Sequence, residues 1–329
     1  MLSYKEKGEA MRTLSRMSLA MVIILAVASA GCTQYRALQA RRALKGANQA
    51  YKAQDYKHAS ELYEEALGED PNLNGAYFYL GNSYEQLYKP SLKGKPDNDV
   101  LLEKAIKNYQ ASAERLTSSS DPAERNLANL SLKYLVAAYG TEKLNDPGKA
   151  EPILIKMIEL EPNEPENYFM LANVYEQAGL YDDAERVYNL ARDAKPADPA
   201  VYLQLAGYYN RQGVFNKTIA ALEQRAEKEP NNPEAFQMIA GYYYEEASGD
   251  TRLRDEERRN YIDRGLQAAE KALKLKPDYP EALTFKGLLF RQEARIEKDP
   301  ARAQQLLKDG TELGERANAL RKKQAAGTE

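Results

Sequence analysis

Four pairs of prolines constrain this 329-residue chain more tightly than any other feature. They are Pro162 and Pro165, Pro196 and Pro199, Pro230 and Pro233, and Pro277 and Pro280. Successive pairs lie 34, 34 and 47 residues apart, so the last interval carries 13 extra residues. Proline has no amide hydrogen and its ring clashes with the preceding turn, so the first of each pair ends a helix. The second suits the first turn of the next helix, where the missing donor has no partner to lose. Each P-x-x-P therefore predicts a corner between helices rather than a polyproline ligand.

Between corners, apolar and small residues recur in a fixed order. The clearest unit has Tyr168, Leu171, Ala172 and Tyr175, then Gly179, then Ala184, Tyr188, Ala191 and Pro196. Offsets of three and four put the first four on one face of a helix and Ala184, Tyr188 and Ala191 on one face of a second. The alanines permit close backbone approach, the larger side chains fill the remaining space, and Gly179 falls where the chain must turn. The tyrosines of this stripe are read as packing residues.

The order repeats along the chain. One copy has Ala47, Tyr51, Ala59, Tyr63, Ala66 and Pro71; the next has Tyr77, Leu80, Gly81, Tyr84, Ala105, Tyr109 and Ser112. Further copies carry Leu135, Tyr139, Ala150 and Leu154, then Tyr202, Leu205, Ala206, Tyr209 and Leu222, then Phe236, Ile239, Ala240, Tyr243 and Ala272. A degenerate copy runs from Pro280 through Leu283, Gly287 and Phe290 to Leu307. Thr218 and Arg225 stand where alanine is usual and predict a loosely packed second helix there.

This order resembles the tetratricopeptide repeat. The resemblance implies an all-α fold, an α-solenoid coiled as a right-handed superhelix of about seven helix–turn–helix repeats over residues 40–318. Two insertions fall near 88–99, read as a loop, and near 249–260, read as a solvated loop with a helix extension or as a partner contact. A final helix from Ala303 to about Leu320 caps the array, and 319–329 form a flexible tail.

By the same resemblance, the first helix of each repeat lines a concave groove that binds a protein or peptide. Its outward positions here include Asn48, Tyr51, Phe78, Asn82, Glu85, Lys133, Phe169, Asn173, Glu176, Asn210, Arg211, Gln237 and Tyr244. Phe78 and Phe169 lie off the core stripe and are expected to be exposed anchors. Asn48, Asn82 and Asn173 occupy equivalent sites and either hold an extended peptide backbone or solvate the groove. The Lys and Asn pair with which some family members clamp a terminal carboxylate is absent in that form: Ala137 follows Lys133 by one turn, and Leu44, Phe78 and Phe169 precede the three asparagines.

Chemistry-bearing motifs are absent from the sequence: no G-x-x-x-x-G-K-S/T, no H-E-x-x-H and no C-x-x-C. One Cys and one His rule out an internal disulfide and a Cys/His zinc site. His58 reads as a surface residue, and acid pairs such as Glu64–Glu65 point different ways on a helix. A net charge of -3 gives no nucleic-acid footprint. The expectation is a chain that is not an enzyme and needs no cofactor or metal.

The N-terminus reads as an address. Residues 1–17 are basic and polar, and Ser18 to Gly31 are apolar and small. The apolar run is shorter than the ~20 residues a membrane span needs, which fits a secretory signal; Met11 is an alternative start. Ser29-Ala30-Gly31-Cys32 resembles the end of a bacterial lipoprotein signal, in which lipid is attached to the Cys; Ser29 departs from the usual Leu. The expected organisation is a signal peptide over 1–31, lipidation at Cys32 and a short tether over 32–39. Thr33 after the Cys favours, by the same resemblance, the outer membrane facing the periplasm.

Three roles fit: an envelope scaffold that binds a protein or peptide in its groove and assists assembly or export; a structural subunit of a secretion, pilus or polysaccharide-export complex using its outer face; and an enzyme accessory or carbohydrate-binding protein.

Overall fold

The computed structural model describes residues 34–327; the signal segment and Cys32 lie outside them. Among the described residues there are fourteen α-helices and no strand. The chain divides into two compact units, and the division falls inside one helix, after Met157.

The first unit contains α1 (34–52), α2 (Tyr56–Glu69), α3 (Asn74–Leu87), a 3-10 turn at Pro90–Leu92, α4 (Pro96–Leu116) and α5 (Pro122–Tyr139). Helix α6 (Pro147–Leu160) carries the division. The second unit contains α7 (Pro165–Gln177), α8 (Tyr181–Ala194), α9 (Pro199–Arg211), α10 (Phe215–Lys228), α11 (Pro233–Gly249), α12 (Asp255–Leu275), α13 (Pro280–Ile296) and α14 (Pro300–Ala325). There each odd helix packs on its even successor, and each even helix packs on the helix after it.

The proline corners explain these boundaries. Helices α6, α8, α10 and α12 stop two residues before Pro162, Pro196, Pro230 and Pro277, while α7, α9, α11 and α13 begin on the second proline of each pair. Asp198 and Asn232 cap the amides of Ala200 and Glu234, satisfying donors that a helix start leaves open. Tyrosine ties down the corner: Tyr168 and Tyr202 donate to the carbonyls of Pro162 and Pro196 at 2.9 and 2.7 Å, six residues back. Tyr77 makes the same bond to Pro71 at 3.3 Å.

The core is the predicted stripe. Ala59, Ala105, Ala172, Ala184 and Ala191 are fully buried, as are Tyr63, Tyr109 and Tyr188. Neighbouring repeats in each unit are joined by a Glu–Tyr–Lys triad. In the second unit, Tyr209 and Lys217 donate to Glu185 at 2.9 and 2.6 Å, and the Lys217 ammonium lies 5.0 Å from the Tyr209 ring centre. These bonds, Lys217's first, hold the Glu185 carboxyl below its ordinary range. In the first unit, Tyr84 bonds Glu64, and Lys104 reaches the Tyr84 hydroxyl at 3.1 Å.

Tight corners within repeats need a left-handed residue. Gly179 and Gly213 have φ of 75° and 69°, and Gln54, at the equivalent place, has φ of 62°. All three close the same turn: the following amide donates to a carbonyl five residues back, as from Asp55 to Ala50 at 2.9 Å. A side chain at positive φ costs roughly 1 kcal/mol that glycine avoids. Gln54→Gly is therefore expected to stabilise the first unit by about 1 kcal/mol, read as a higher denaturation midpoint; an unchanged or lower midpoint would contradict this.

Several expectations are corrected. Residues 34–39 of the expected tether are helical, because Arg36 bonds Glu69 and the Gly68 carbonyl and Tyr35 bonds Gln39. Most of the expected tail belongs to α14, which reaches Ala325 and whose Arg321 donates to Thr284 at 2.9 Å. The 88–99 insertion is only partly a loop, since Pro96 starts α4 and buried Asn98 exchanges two hydrogen bonds with the Lys89 backbone. In the second insertion Arg258 clasps the end of α11 through the carbonyls of Ala247 and Asp250. Thr218 and Arg225 do not loosen α10. Both are buried; Thr218 bonds the Val214 carbonyl, and Arg225 pairs with Glu229 at 2.9 Å and Glu234 at 3.3 Å.

Candidate functional site

The outward positions of the first helices resolve into buried, bridging and open groups. Phe78 and Phe169 are buried, contrary to expectation. Phe78 packs its ring against Tyr79, Tyr109 and Tyr134, and Phe169 against Tyr188. They are off the predicted stripe, yet each ring meets the tyrosine of its own second helix, Tyr109 or Tyr188, and is buried there, so neither is an exposed anchor.

The three asparagines hold tyrosine hydroxyls. Tyr63 donates to Asn48 at 2.7 Å, Tyr188 donates to Asn173 at 2.9 Å, and Asn82 donates to Tyr109 at 3.3 Å while accepting from Tyr51 at 2.7 Å. Burial pushes the tyrosines up in pKa: Tyr51 and Tyr188 to about 12, and Tyr63 and Tyr109 further. Asn82 is buried, whereas Asn48 and Asn173 keep exposed surface. A peptide backbone therefore finds no free carboxamide at Asn82.

One turn beyond Asn82 and Asn173 stand Glu85 and Glu176, and each takes a cation supplied after the next first helix has begun. Tyr109 donates to Glu85 at 2.5 Å, and Lys143 pairs with the same carboxylate. Arg211 grips Glu176 with two bonds of 2.7 and 2.9 Å. Bonding to Glu176 raises the Arg211 pKa further. Gly207 makes room, since a Cβ there would lie 3.3 Å from the guanidinium.

The two pairs differ in access. The side chains of Lys143 and Glu85 are 18% and 10% exposed, so that pair is a sealed structural tie. Arg211 is 49% exposed beside Glu176 at 14%. Asn173, Glu176, Gln177, Tyr181, Arg211 and Gln212 line an open cleft of about 400 Å³. A half-exposed guanidinium can exchange its internal carboxylate for an external one with planar, two-point geometry.

The other predicted positions stand apart from this cleft. Lys133 and Asn210 are exposed on α5 and α9. Tyr244 is half-buried against Phe285, and Gln237 accepts weakly from Tyr279 at 3.4 Å. Lys143 was missed by sequence reasoning. Its signal is the shared N-x-Y-E of residues 82–85 and 173–176, which implies a cation for each Glu.

A second cavity of about 440 Å³ lies between the second helices α10 and α12. Phe236, Ile239 and Tyr243 of α11 form its floor, with Glu223 and Glu227 on one rim and Arg264 and Lys271 on the other. Among the described residues, no three His, Cys, Asp or Glu side chains are grouped to hold a metal ion, and no helix is long and apolar enough to cross a membrane.

No curated protein matches the chain. The family model for the tetratricopeptide repeat matches residues 143–207. Among solved structures, the C-terminal part of a TPR repeat-containing protein from Cytophaga hutchinsonii is similar at 13% identity, covering 84% of this chain and 98% of that one with a TM-score of 0.54. MamA is similar at 18% identity, covering 66% and 98% with a TM-score of 0.43. YrrB, described as a TPR protein with an unusual peptide-binding site, is similar at 17%, covering 60% and 89% with a TM-score of 0.37. The matched repeat, the helix pairs set by proline corners and the fold likeness to the Cytophaga structure agree: residues 143–207 match the tetratricopeptide repeat, and the described residues share the helix-pair fold of a TPR-repeat structure.

Proposed function

We propose that this protein is a non-enzymatic scaffold of the bacterial cell envelope, exported and anchored by lipid on Cys32, that binds a protein or peptide segment on the first-helix face of its second unit. The observation that carries the binding half is the contrast between the two Glu–cation pairs. The same N-x-Y-E arrangement is sealed around Glu85 and open around Glu176, where Arg211 borders a cleft. A segment carrying a carboxylate fits it, with Asn173 and Gln177 available to its backbone. The envelope half rests on the sequence of residues 1–32.

A second reading, a structural subunit that engages partners through its outer face, is favoured by the cavity between α10 and α12, whose acidic and basic rims suit a partner of mixed charge.

Pull-down from membranes with the intact protein and its Arg211→Ala and Arg264→Ala forms separates the two. Arg211→Ala is expected to melt within about 1 kcal/mol of the parent, as a partly exposed ion pair should, and to lose capture. Full capture by Arg211→Ala with loss in Arg264→Ala would reverse the assignment. For the anchor, Cys32→Ala is expected to leave the membrane fraction at high salt; retention there would show another tether.

A further inference from the structure

Helix α1 presents a stripe of a single charge sign. Residues 34–52 contain Arg36, Arg41, Arg42, Lys45 and Lys52 and no acid. Its opposite face is small and closed: Ala40, Ala43, Ala47 and Ala50 are buried. The sequence 38, 42, 45, 49, 52 recurs at four and three, so Leu38, Arg42, Lys45, Gln49 and Lys52 lie along one side, with Arg41 beside them. That side is exposed throughout and runs about 21 Å from Leu38 to Lys52.

Two observations set the stripe apart from an ordinary solvated end of a repeat array. Its cations are unpaired: only Arg36 has an acid partner, Glu69, whereas Arg41, Arg42, Lys45 and Lys52 make no ion pair among the described residues. Helix α14 serves as contrast. Its Arg302, Lys308, Arg316 and Arg321 each face a carboxylate, Glu293, Glu312, Asp278 and Glu281, although Lys322 in its last turn makes no ion pair among the described residues. Solubility alone asks for polar residues, not for four like charges left uncompensated. Second, the stripe ends in exposed apolar side chains, Tyr35 at 63% and Leu38 at 64%. Cations along a face with an aromatic and an aliphatic group at one end match a membrane interface, where headgroups take the charge and the ring sits at the acyl boundary.

We propose that the exposed face of α1 docks on anionic lipid headgroups, with Tyr35 and Leu38 entering the interface and Arg41, Arg42, Lys45 and Lys52 pairing with phosphates. This extends the membrane half of the proposed function but does not require lipid on Cys32. A nucleic acid would use the cations and leave the two apolar side chains without a role.

The test is vesicle flotation of the full-length chain carrying Cys32→Ala, which removes any attached lipid. Neutral phosphatidylcholine vesicles are compared with vesicles holding about a quarter phosphatidylglycerol, at low salt and at ~0.5 M salt. Apolar insertion by residues outside α1 acts on both vesicle types, and the basic residues of 1–17 favour the anionic one in every variant alike, so the change in anionic preference between the parent and the α1 variants is the readout. The parent is expected to prefer anionic vesicles, and the preference should fall at least about tenfold in Arg41→Glu/Arg42→Glu/Lys45→Glu and at high salt. The Gln version of the same triple variant, whose exposed positions leave the fold intact, should show an intermediate loss. No anionic preference in the parent, an unchanged preference in either folded variant, or displacement from vesicles by a short RNA at equal charge would overturn the proposal. Failure of the Cys32 reading is scored separately, by fractionation of the chain that retains Cys32.

Discussion

Gly287→Ala is expected to cost about 3 kcal/mol, the upper range for forcing a methyl group into a closed contact. At this point α13 and α14 touch backbone to backbone. A Cβ on Gly287 would lie 2.7 Å from the Gly310 carbonyl oxygen, and one on Gly310 would lie 2.6 Å from the Gly287 oxygen. Both obstacles are main chain in the middle of helices, so neither can swing aside as a side-chain end would. Alanine is the better helix former by ~1 kcal/mol, so any loss reflects the crossing and not local propensity. Gly314→Ala is the control: it lies on the same helix, and its added Cβ would meet only an Arg291 nitrogen at 4.0 Å. That variant is expected to gain up to about 1 kcal/mol. Denaturant unfolding of the two variants, with hydrogen exchange along α14, measures both. Equal stability of Gly287→Ala and the parent would mean that the helices do not cross this closely.

At alkaline pH the fold is expected to collapse as a unit with its tyrosines. Tyr51, Tyr84, Tyr188 and Tyr208 are pushed up to about 12, chiefly by burial, and Tyr63 and Tyr109 lie higher still. In the unfolded chain each titrates near 10. Between these values the folded state holds more protons than the unfolded one, so stability falls as pH rises. The contribution is complete below about 10 and is lost upward through the folded values. Because several groups act together, tyrosinate absorbance and loss of helical circular dichroism should rise together above pH ~10 within a narrow interval. The absence of Trp makes that absorbance easy to follow. If most of the 24 tyrosines ionised while helicity stayed intact, the buried hydroxyl network would not exist as described.

That network shows how far a site can be legible in sequence. Asn48 precedes Tyr63 by 15 residues, and Asn173 precedes Tyr188 by the same interval. For Asn82 and Tyr109 the interval is 27, the same 15 plus the extra 12 residues of that repeat. Where the second-helix Tyr is replaced by Leu222, the first-helix position is Gly207, so donor and acceptor are given up together. The partnership is thus written in the spacing. Its burial is not, and this is why three asparagines that looked available to a ligand include one that is sealed. Phe78 and Phe169 misled for a related reason. Helical spacing places them off the stripe, but Tyr109 and Tyr188 of the facing second helices reach them, and Tyr79 and Tyr134 complete the cover of Phe78.

The sequence by itself determined the helices, their corners and the pairing of the stripe, because these depend on local rules: proline at a first turn, positive φ at a turn, and residues three and four apart on one face. It also carried the N-x-Y-E repeat that defines both Glu–cation pairs. Only the tertiary structure decided which pair stays open. Lys143 and Arg211 come from other helices or the turns after them, and their exposure depends on what surrounds them, including the missing side chain at Gly207. Exposure is a property of several segments packed together, and no spacing within one segment encodes it.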